Sequence, residues 1–269
     1  MKKQETYKWN PEEYQRSSVN QKKWGEDLLS RINFRGNEIV LDVGCGDGIL
    51  TASLAQKVPQ GLVVGIDNSE EMIALARQNF SRTIYPNLTF LIKDVREVDF
   101  EEEFDLIYSN ACLHWVLDHL AVLRRFHRAL KPSGRIFLQM GGRGNAAKVI
   151  KILEKLIISP KWSHFFENFS FPYGFYGPEE YRIWLKKAGF KPKRVELFSK
   201  EMIHEDRAWF ASWIRSTWLP YTHRIPEEKR EDFIREVVAL YLRDYPPDEN
   251  GIIRVPMVRL EIEAEKVEI

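Results

Sequence analysis

The sequence contains few cysteines, no long apolar run and almost no net charge. Only Cys45 and Cys112 occur in the 269 residues, which argues against a disulfide framework and a cysteine-based zinc site. No stretch of about 18 consecutive apolar residues occurs, so we expect no membrane-spanning helix. Lysine and arginine total 40 against 39 aspartate and glutamate residues, a balance that argues against general binding to nucleic-acid backbones.

The composition is otherwise that of a chain able to build a full hydrophobic core. Hydrophobic residues make up 44% and charged residues 29% of the chain, which is ordinary for a globular protein, and a chain of this length needs no crosslinks to be stable. The stretch Met1–Glu5 is polar and leads into no apolar signal core. We therefore expect a cytoplasmic protein without a cleaved signal peptide.

Short apolar segments alternate with helical ones through the first half of the chain. After a first helical segment over 7–33, five strands are predicted, with helical segments between most of them: Glu38–Val43, Gly61–Ile66, Asn87–Ile92, Phe104–Ser109 and Arg135–Met140. Strands separated in this way indicate βαβ units and a parallel sheet, and right-handed crossovers place helices on both of its faces. The predicted fold class is therefore α/β.

The second half follows a different pattern. Further helices and strands are predicted there: helices over 146–158, 179–188, 206–219 and 227–243, and strands over 193–202 and 252–267. Aromatic residues concentrate between 162 and 176 and again between 209 and 221. Clustered aromatic side chains favour a lid over an apolar pocket; a small accessory core is the alternative, and both interpretations stay open.

A glycine-rich turn joins the first predicted strand to its helix. Gly44, Gly46 and Gly48 directly follow the apolar segment that ends at Val43. Glycine lets the main chain turn tightly and approach a ligand. A dinucleotide-binding turn has its third glycine five positions after the first, where this chain has Ile49. The spacing therefore fits a ligand without a pyrophosphate, and the alternative is a purely structural turn.

Acidic residues lie at the ends of the first three predicted strands. Asp67 follows Gly44 by 23 residues, a distance at which an acid can accept hydrogen bonds from both ribose hydroxyls; the alternative is a helix N-cap. Asp94 could accept a hydrogen bond from an adenine amino group, or be a solvated loop acid. Asp42 could bind a ligand ammonium group, or accept hydrogen bonds from the backbone N–H groups of the turn.

Together these motifs resemble those of class I S-adenosylmethionine-dependent methyltransferases. The resemblance spans residues 38–140 and comprises, in order, Leu41-Asp42-Val43-Gly44-Cys45-Gly46-Asp47-Gly48, Gly65-Ile66-Asp67, Lys93-Asp94-Val95, Phe104-Asp105-Leu106-Ile107-Tyr108-Ser109-Asn110 and Leu130-Lys131-Pro132-Ser133-Gly134. It implies a Rossmann-like seven-stranded sheet with an antiparallel last strand and helical lid insertions.

The same resemblance implies a cofactor and its contacts. The cofactor is S-adenosyl-L-methionine, faced by Gly44, Gly46 and Gly48, with Asp67 at its ribose and Asp94 at its adenine. Further candidate cofactor-binding residues are Asp42, Cys45, Asn68, Val95 and Asn110.

Shorter motifs are similar to two groups of enzymes that methylate carboxylates to esters. The juvenile hormone acid methyltransferases share Tyr14 with Gln21, Cys112-Leu113-His114-Trp115, Lys161-Trp162 and Ala188-Gly189-Phe190 with this chain. The trans-aconitate methyltransferases share Trp9-Asn10-Pro11 and Trp115-Val116-Leu117-Asp118-His119-Leu120. The first resemblance implies that Gln21 and Trp115 approach the carboxyl group of the substrate.

The nature of the methyl acceptor decides which side chains are needed. A carboxylate is ionised at neutral pH and needs only hydrogen-bond donors such as Gln21 and Trp115, whereas a phenol or amine more often needs a base such as His114. Each residue has a structural alternative: Gln21 as an exposed helix residue, Trp115 as an apolar wall and His114 as a packed side chain. Four basic residues could attract a polyacid: Arg215, His223, Arg254 and Arg259.

We therefore predict a methyltransferase that O-methylates the carboxylate of a small molecule, with Gln21, Trp115 and His114 as candidate catalytic residues. We expect no metal and no nucleic-acid partner. The alternatives are another small-molecule or lipid hydroxyl, amine or carbon, an acyl-carrier-protein thioester, or a cofactor-binding regulatory protein without activity. The predicted organisation is an N-terminal helical lid segment over 1–36 and a methyltransferase domain over 37–269, with substrate-cap insertions at about 143–178 and 205–248.

Overall fold

The computed structural model describes residues 19–267. Helix α1 (Val19–Leu29) is the described part of the first predicted helical segment, and residues 7–18 of that segment lie outside the described residues. The helix buries Trp24, Leu28 and Leu29. These side chains recur at helical spacing, so they share one face of the helix.

Seven strands form a single sheet. They are β1 (Ile39–Val43), β2 (Leu62–Asp67), β3 (Leu88–Ile92), β4 (Phe104–Asn110), β5 (Leu130–Gly141), β6 (Phe190–His204) and β7 (Ile253–Lys266). Their order across the sheet is β3-β2-β1-β4-β5-β7-β6. Strands β1 to β5 pair in parallel, and β7 pairs antiparallel with β5. The predicted Rossmann-like α/β fold with an antiparallel last strand is confirmed.

Eight further α-helices lie between the strands in the described residues, and those of the second half lie close to their predicted positions, except for the short helix Leu219–Thr222, which was not predicted. They are α2 (Ile49–Lys57), α3 (Glu70–Asn79), α4 (His119–Ala129), α5 (Ala147–Ile157), α6 (Pro178–Lys187), α7 (Arg207–Thr217), α8 (Leu219–Thr222) and α9 (Glu227–Asp244). Helix α2 directly follows the glycine turn, and α3 begins after the N-cap residue Ser69, whose hydroxyl accepts a hydrogen bond from Met72 N. None of the described helices is both long and apolar enough to cross a membrane.

The chain forms two compact units, which we describe separately. The first, called the sheet unit, contains Gln21–Arg143, Tyr173–Phe198 and residues 259–267. The second, called the accessory unit, contains residues 19–20, Gly144–Pro172 and Ser199–Val258. The sheet unit thus holds strands β1 to β5 and the accessory unit holds helices α5, α7, α8 and α9.

The sheet unit has a hydrophobic core on each face of the sheet. Side chains alternate between the two faces along a strand, so Leu41 and Val43 of β1 pack with α4 residues such as Phe126, while Val40 packs with Leu28. The parallel strands all end at one edge. Consequently the residues that follow β1, β2, β3 and β4 gather at that edge, where the crevice of an open α/β sheet binds ligands.

Candidate active site

The turn between β1 and α2 has the geometry that its glycines predict. Gly44, Gly46 and Gly48 have φ angles of 74°, 54° and 83°, values that only glycine adopts without strain. The turn is anchored to β2, since the N–H groups of Gly44 and Cys45 both donate to Ile66 O at 2.8 and 3.0 Å. The positive φ angles and these main-chain bonds fix the loop before any ligand binds.

Gly44 is also required for packing. A Cβ atom at this position would lie 2.5 Å from Cys112 Sγ and 2.3 Å from Cys112 Cβ. Cys112 follows β4, so the glycine turn and the segment after β4 lie in direct contact. The turn therefore needs glycine at this position both for its conformation and for the approach of a neighbouring segment.

Asp67 joins the glycine turn to the end of β2. Its Oδ2 atom accepts from Gly46 N at 3.0 Å and its Oδ1 atom accepts from Ser69 N at 2.9 Å. Burial raises the pKa of Asp67, and these backbone donors offset only part of that effect. Ser69 is the N-cap of α3, so Asp67 is not needed in that role. Each carboxylate oxygen retains a second lone-pair direction that can accept a hydroxyl.

Asp94 is surrounded by donors from its own turn. Its Oδ1 atom accepts from Arg96 N and Nε at 2.8 and 2.9 Å, and its Oδ2 atom accepts from Arg96 Nη2 at 2.6 Å and Asn68 Nδ2 at 3.5 Å. Burial raises the pKa of Asp94, but the hydrogen bonds and charge of Arg96 outweigh it and lower the pKa overall. A carboxylate has about four acceptor directions. An incoming amino group must therefore displace a donor, and the long bond from Asn68 is the weakest. Val95 is buried in the same turn.

Asp42 is buried at the end of β1 and is bonded to α2. Its Oδ2 atom accepts from Thr51 Oγ1 at 2.7 Å, whereas the N–H groups of the glycine turn donate to Ile66 and Asp67. Burial, opposed by the Thr51 hydrogen bond and assisted by the charge of Asp67, raises the pKa of Asp42 to about 7. Asp42 thus binds the helix after the turn and carries a partial negative charge at neutral pH.

Two amide side chains meet where α1 faces the end of β4. Asn110 Nδ2 donates to Gln21 O at 3.0 Å, while Asn110 Oδ1 and Gln21 Oε1 are buried without a hydrogen-bond partner among residues 19–267. Tyr108 of β4 donates to Gly25 O at 2.9 Å and fixes α1 against the strand. Buried polar atoms are normally paired. The two amide oxygens therefore indicate a place for a donor group, such as an ammonium.

His114 is buried and neutral. Gly141 N donates to its Nδ1 atom at 3.4 Å. Burial, with smaller effects of the charges of Arg259 and His119, holds the pKa of His114 well below its ordinary value. In a neutral imidazole with an accepting Nδ1, the proton lies on Nε2. His114 can therefore offer a hydrogen bond but is a poor base.

Trp115 belongs to a group of aromatic side chains in the sheet unit. Its ring contacts Tyr173 edge-on at 5.2 Å and the ring of His114 at 5.7 Å, and Tyr173 stacks on Phe175 at 5.2 Å. The segment that carries these residues is held by Gly174 N, which donates to His114 O at 2.8 Å. The structure thus brings His114 and Trp115 together beside an apolar wall.

Arg259 is one of the four basic residues that the sequence offers for attracting a polyacid, and it is buried. Arg259 is 2% exposed and lies over the Trp24 ring at 5.3 Å. It pairs in register with Gly141, the residue that donates to His114. Arg215 and Arg254 lie in the accessory unit and form ion pairs there with Glu231 and with Glu201. No pattern local to residue 259 distinguishes it, because its site is created by the pairing of β7 with β5.

The acidic side chains of the site are hydrogen-bonded within the protein. Among residues 19–267, no three or more histidine, cysteine, aspartate and glutamate side chains are arranged to hold a metal ion. The acids of the site are instead bonded to backbone N–H groups, to Thr51 and to Arg96.

Comparison with known proteins places these features in a known group. Residues 40–134 match the methyltransferase domain family. An uncharacterized methyltransferase from Schizosaccharomyces pombe is 30% identical over 260 residues, which cover 93% of this chain and 96% of the relative. The trans-aconitate 2-methyltransferase of Shigella dysenteriae is 29% identical over 267 residues, which cover 97% of this chain and 99% of the relative.

A solved structure shows the same fold. Phosphoethanolamine N-methyltransferase 2 of Haemonchus contortus, in complex with S-adenosyl-L-methionine, aligns with a TM-score of 0.59 at 18% identity. The alignment covers 96% of this chain and 57% of that chain.

Proposed function

Because the chain belongs to the class I S-adenosylmethionine-dependent methyltransferases, we propose that it methylates a carboxylate oxygen of a small molecule. The observation that carries the proposal is that Gly141 lies next to both a neutral His114 and the buried cation Arg259. Gly141 N donates to His114, and Gly141 pairs in register with Arg259. A buried guanidinium attracts an anionic acceptor, and a histidine with a low pKa cannot readily remove a proton from a hydroxyl or amine.

The residues at the sheet edge fit S-adenosyl-L-methionine. The glycine turn would hold its amino-acid part, Asp67 would accept its ribose hydroxyls and the segment Asp94–Val95 would bind its adenine. The buried amide oxygens of Gln21 and Asn110 fit an ammonium donor. When bound, the sulfonium supplies the methyl group, and this chain supplies position and charge.

The acceptor side of the site consists of donors and a positive charge. Trp115 Nε1–H and His114 Nε2–H can each donate to a carboxylate oxygen without neutralising its charge. Arg259 supplies an attraction that survives in a buried site, where solvent screens little. The carboxylate needs no deprotonation at neutral pH, so orientation towards the methyl group is the main task of the protein.

The nearly full-length similarity to trans-aconitate 2-methyltransferases supports this assignment. Those relatives are named for a carboxylic acid, and at 29% identity they suggest the class of acceptor to be tested first. A panel of mono-, di- and tricarboxylic acids that includes trans-aconitate should be incubated with cofactor labelled in its methyl group. We expect at least one labelled methyl ester by mass spectrometry of the products. Amines, phenols and thiols incubated in parallel are the comparison, and label in any of them without any labelled ester would contradict the proposal.

Substitution of Arg259 tests the electrostatic part of the proposal. Arg259→Met should lower kcat/KM for the acid about 100-fold, the scale of one charge-assisted hydrogen bond, while the affinity for S-adenosylhomocysteine changes little. Arg135→Met is the matched control, because Arg135 also lies over an aromatic ring of the sheet unit, Phe137 at 5.5 Å. Equal effects of the two variants would show that Arg259 acts through stability alone.

The pH dependence of the rate and substitutions of the candidate hydrogen-bond donors test whether the reaction proceeds without a general base. Trp115→Phe should lower turnover about tenfold, the value of one neutral hydrogen bond. Gln21→Ala should lower turnover by a similar factor and, because the Gln21 oxygen fits the cofactor ammonium, should also weaken the binding of S-adenosyl-L-methionine. In the Asp42→Asn variant, which lacks the group of the site with a pKa of about 7, the rate should stay nearly flat between about pH 6 and 8, since both a carboxylate and His114 keep one protonation state there. If the rate rises with an apparent pKa near that of histidine and His114→Ala abolishes it, a general base is at work and the acceptor is not a carboxylate.

A further inference from the structure

The accessory unit contains a cluster of buried polar atoms that lack hydrogen-bond partners. His204 at the end of β6, Trp213 of α7 and Thr222 of α8 are each about 1% exposed. Within the part of the chain that the structure describes, both ring nitrogens of His204, the Trp213 Nε1 atom and the Thr222 Oγ1 atom have no hydrogen-bond partner. Buried side-chain polar atoms are paired in the large majority of cases, so three such residues in one unit call for a physical reason.

These residues lie together among aromatic rings. The His204 ring is 5.2 Å from the Trp213 ring, and the Trp213 ring meets the Trp218 ring edge-on at 5.8 Å. Thr222 lies one helical turn beyond Trp218, with its N–H donating to Trp218 O at 3.0 Å. Phe210 lies beside His204, with their rings 5.2 Å apart.

The cluster is uncharged and offers mainly donors. An indole can only donate, a hydroxyl can donate and accept, and a neutral imidazole does one of each. Burial lowers the pKa of His204 to about 4, so its ring is neutral at physiological pH. The nearby guanidinium of Arg230 is committed to the main chain, donating to the carbonyl oxygens of Thr222 at 3.1 Å and Ile225 at 3.5 Å.

We propose that His204, Trp213 and Thr222 form a binding site for an uncharged oxygen group, a carbonyl or a hydroxyl, on a small apolar molecule. The oxygen would accept from Trp213 Nε1–H and Thr222 Oγ–H, and the aromatic rings would contact the apolar body of the ligand. This site lies wholly within the accessory unit, and it goes beyond the methyl transfer proposed for the sheet unit. Its ligand need not be the methyl acceptor.

The surroundings favour an uncharged oxygen over a carboxylate. An anion loses its hydration when it enters an apolar enclosure and needs a cation or several strong donors in return. The cluster residues His204, Trp213, Trp218 and Thr222 are uncharged, and Arg230 is already hydrogen-bonded to main-chain oxygens. A ketone or alcohol loses far less hydration and satisfies the same donors.

The indole N–H resonance of Trp213 offers a direct test on the full-length protein. The chain has 8 tryptophans, so a spectrum of the Trp213→Phe variant assigns that resonance. Cyclohexanone should shift it in a saturable way, whereas cyclohexanecarboxylate and cyclohexylammonium, which have the same ring, should not. Thr222→Val should weaken the cyclohexanone affinity about tenfold, the value of one neutral hydrogen bond. Thr83→Val, at an exposed threonine of the sheet unit, is the matched control.

The outcomes separate this site from the methyl-transfer site. A shift with cyclohexanone that Thr222→Val weakens supports the proposal, whether or not any carboxylic acid is methylated. An unchanged resonance, or an affinity that Thr222→Val leaves unaltered, overturns it and leaves bound water as the partner of these atoms. A stronger response to the carboxylate than to the ketone also overturns it, since the site would then recognise an anion. S-adenosylhomocysteine affinity, measured in parallel, should be equal in all the threonine variants.

Discussion

The two units differ in some of the buried polar atoms that lack a hydrogen-bond partner among the described residues. In the sheet unit, Gln21 Oε1 and Asn110 Oδ1 are buried acceptors without a donor. In the accessory unit, Trp213 Nε1 and Thr222 Oγ1 are buried donors without an acceptor. Acceptors suit a ligand that carries an ammonium, and donors suit a ligand that carries an oxygen. These two pairs of atoms therefore suit different ligand groups.

The units also differ in how tightly their turns are packed. Gly44 of the sheet unit has a φ of 74° and no space for a side chain, because a Cβ atom there would lie 2.5 Å from Cys112 Sγ. Gly144 of the accessory unit has a φ of 84°, but the nearest atom to a Cβ at that position would be 3.7 Å away, in Val258. The same backbone conformation therefore carries a packing constraint in one unit and none in the other.

The largest expected effect comes from adding a methyl group to each of these glycines. Gly44→Ala adds left-handed strain and a clash with Cys112, which together should lower the free energy of unfolding by about 2–5 kcal/mol. Gly144→Ala adds only the strain, about 1–2 kcal/mol. Urea unfolding followed by fluorescence measures both values, and calorimetry with S-adenosylhomocysteine should show weaker binding for Gly44→Ala alone. Equal losses of stability would mean that the segment of Cys112 can move aside.

The difference between the units could be predicted only in part from the sequence. The glycine turn, the acids after β2 and β3 and the N-cap at Ser69 are local features, and the periodic apolar residues predict most strand and helix limits. The start of β5 was predicted at Arg135, because Pro132 and Gly134 are typical of a turn. The strand instead begins at Leu130. In the structure Leu130 still pairs with Phe104, and the register shifts before the next pair, Leu106 with Arg135.

The chemistry of the site depends on contacts between distant parts of the chain. Arg259 lies over Trp24 only because β7 inserts beside β5, and no local pattern encodes that position. The sequence analysis also did not predict the local turn in which the Arg96 side chain folds back and donates to Asp94. The roles of Gln21, His114 and Trp115 likewise remain predictions, although the structure places His114 and Trp115 side by side.

The second prediction concerns Asp42, a buried acid of the sheet unit. The cluster of the accessory unit contains no acid. The pKa of Asp42 is raised from 3.8 to about 7 in the folded protein, so the unfolded chain releases this proton first as the pH rises. The folded state is therefore penalised progressively between about pH 4 and 7, and fully above pH 7. Asp42→Asn removes the charge and keeps an oxygen that can accept from Thr51.

We expect Asp42→Asn to raise the free energy of unfolding by about 2–4 kcal/mol at pH 8, as the size of the pKa shift implies. At pH 4 the variant and the wild-type protein should be equally stable, because Asp42 is then protonated in the folded state. Urea titrations at the two pH values measure the difference. A constant difference at both pH values would show that Asp42 does not titrate as its burial predicts, and that the sheet unit tolerates its charge.

The last prediction has the smallest expected effect. It compares the two units directly, because the same substitution is made in both. Thr51 and Thr222 are each fully buried, but the Thr51 hydroxyl donates to Asp42 at 2.7 Å, while the Thr222 hydroxyl has no partner. At pH 8, Thr51→Val should cost about 1.5–3 kcal/mol, since it removes a hydrogen bond to a charged group. Thr222→Val removes an unpaired hydroxyl from an apolar cluster. It should raise the free energy of unfolding by less than about 1 kcal/mol. Chemical unfolding of both variants without any ligand measures the contrast. A similar cost for the two would mean that the Thr222 hydroxyl is already satisfied in the free protein, and the accessory unit would then have no open donor for a ligand to fill.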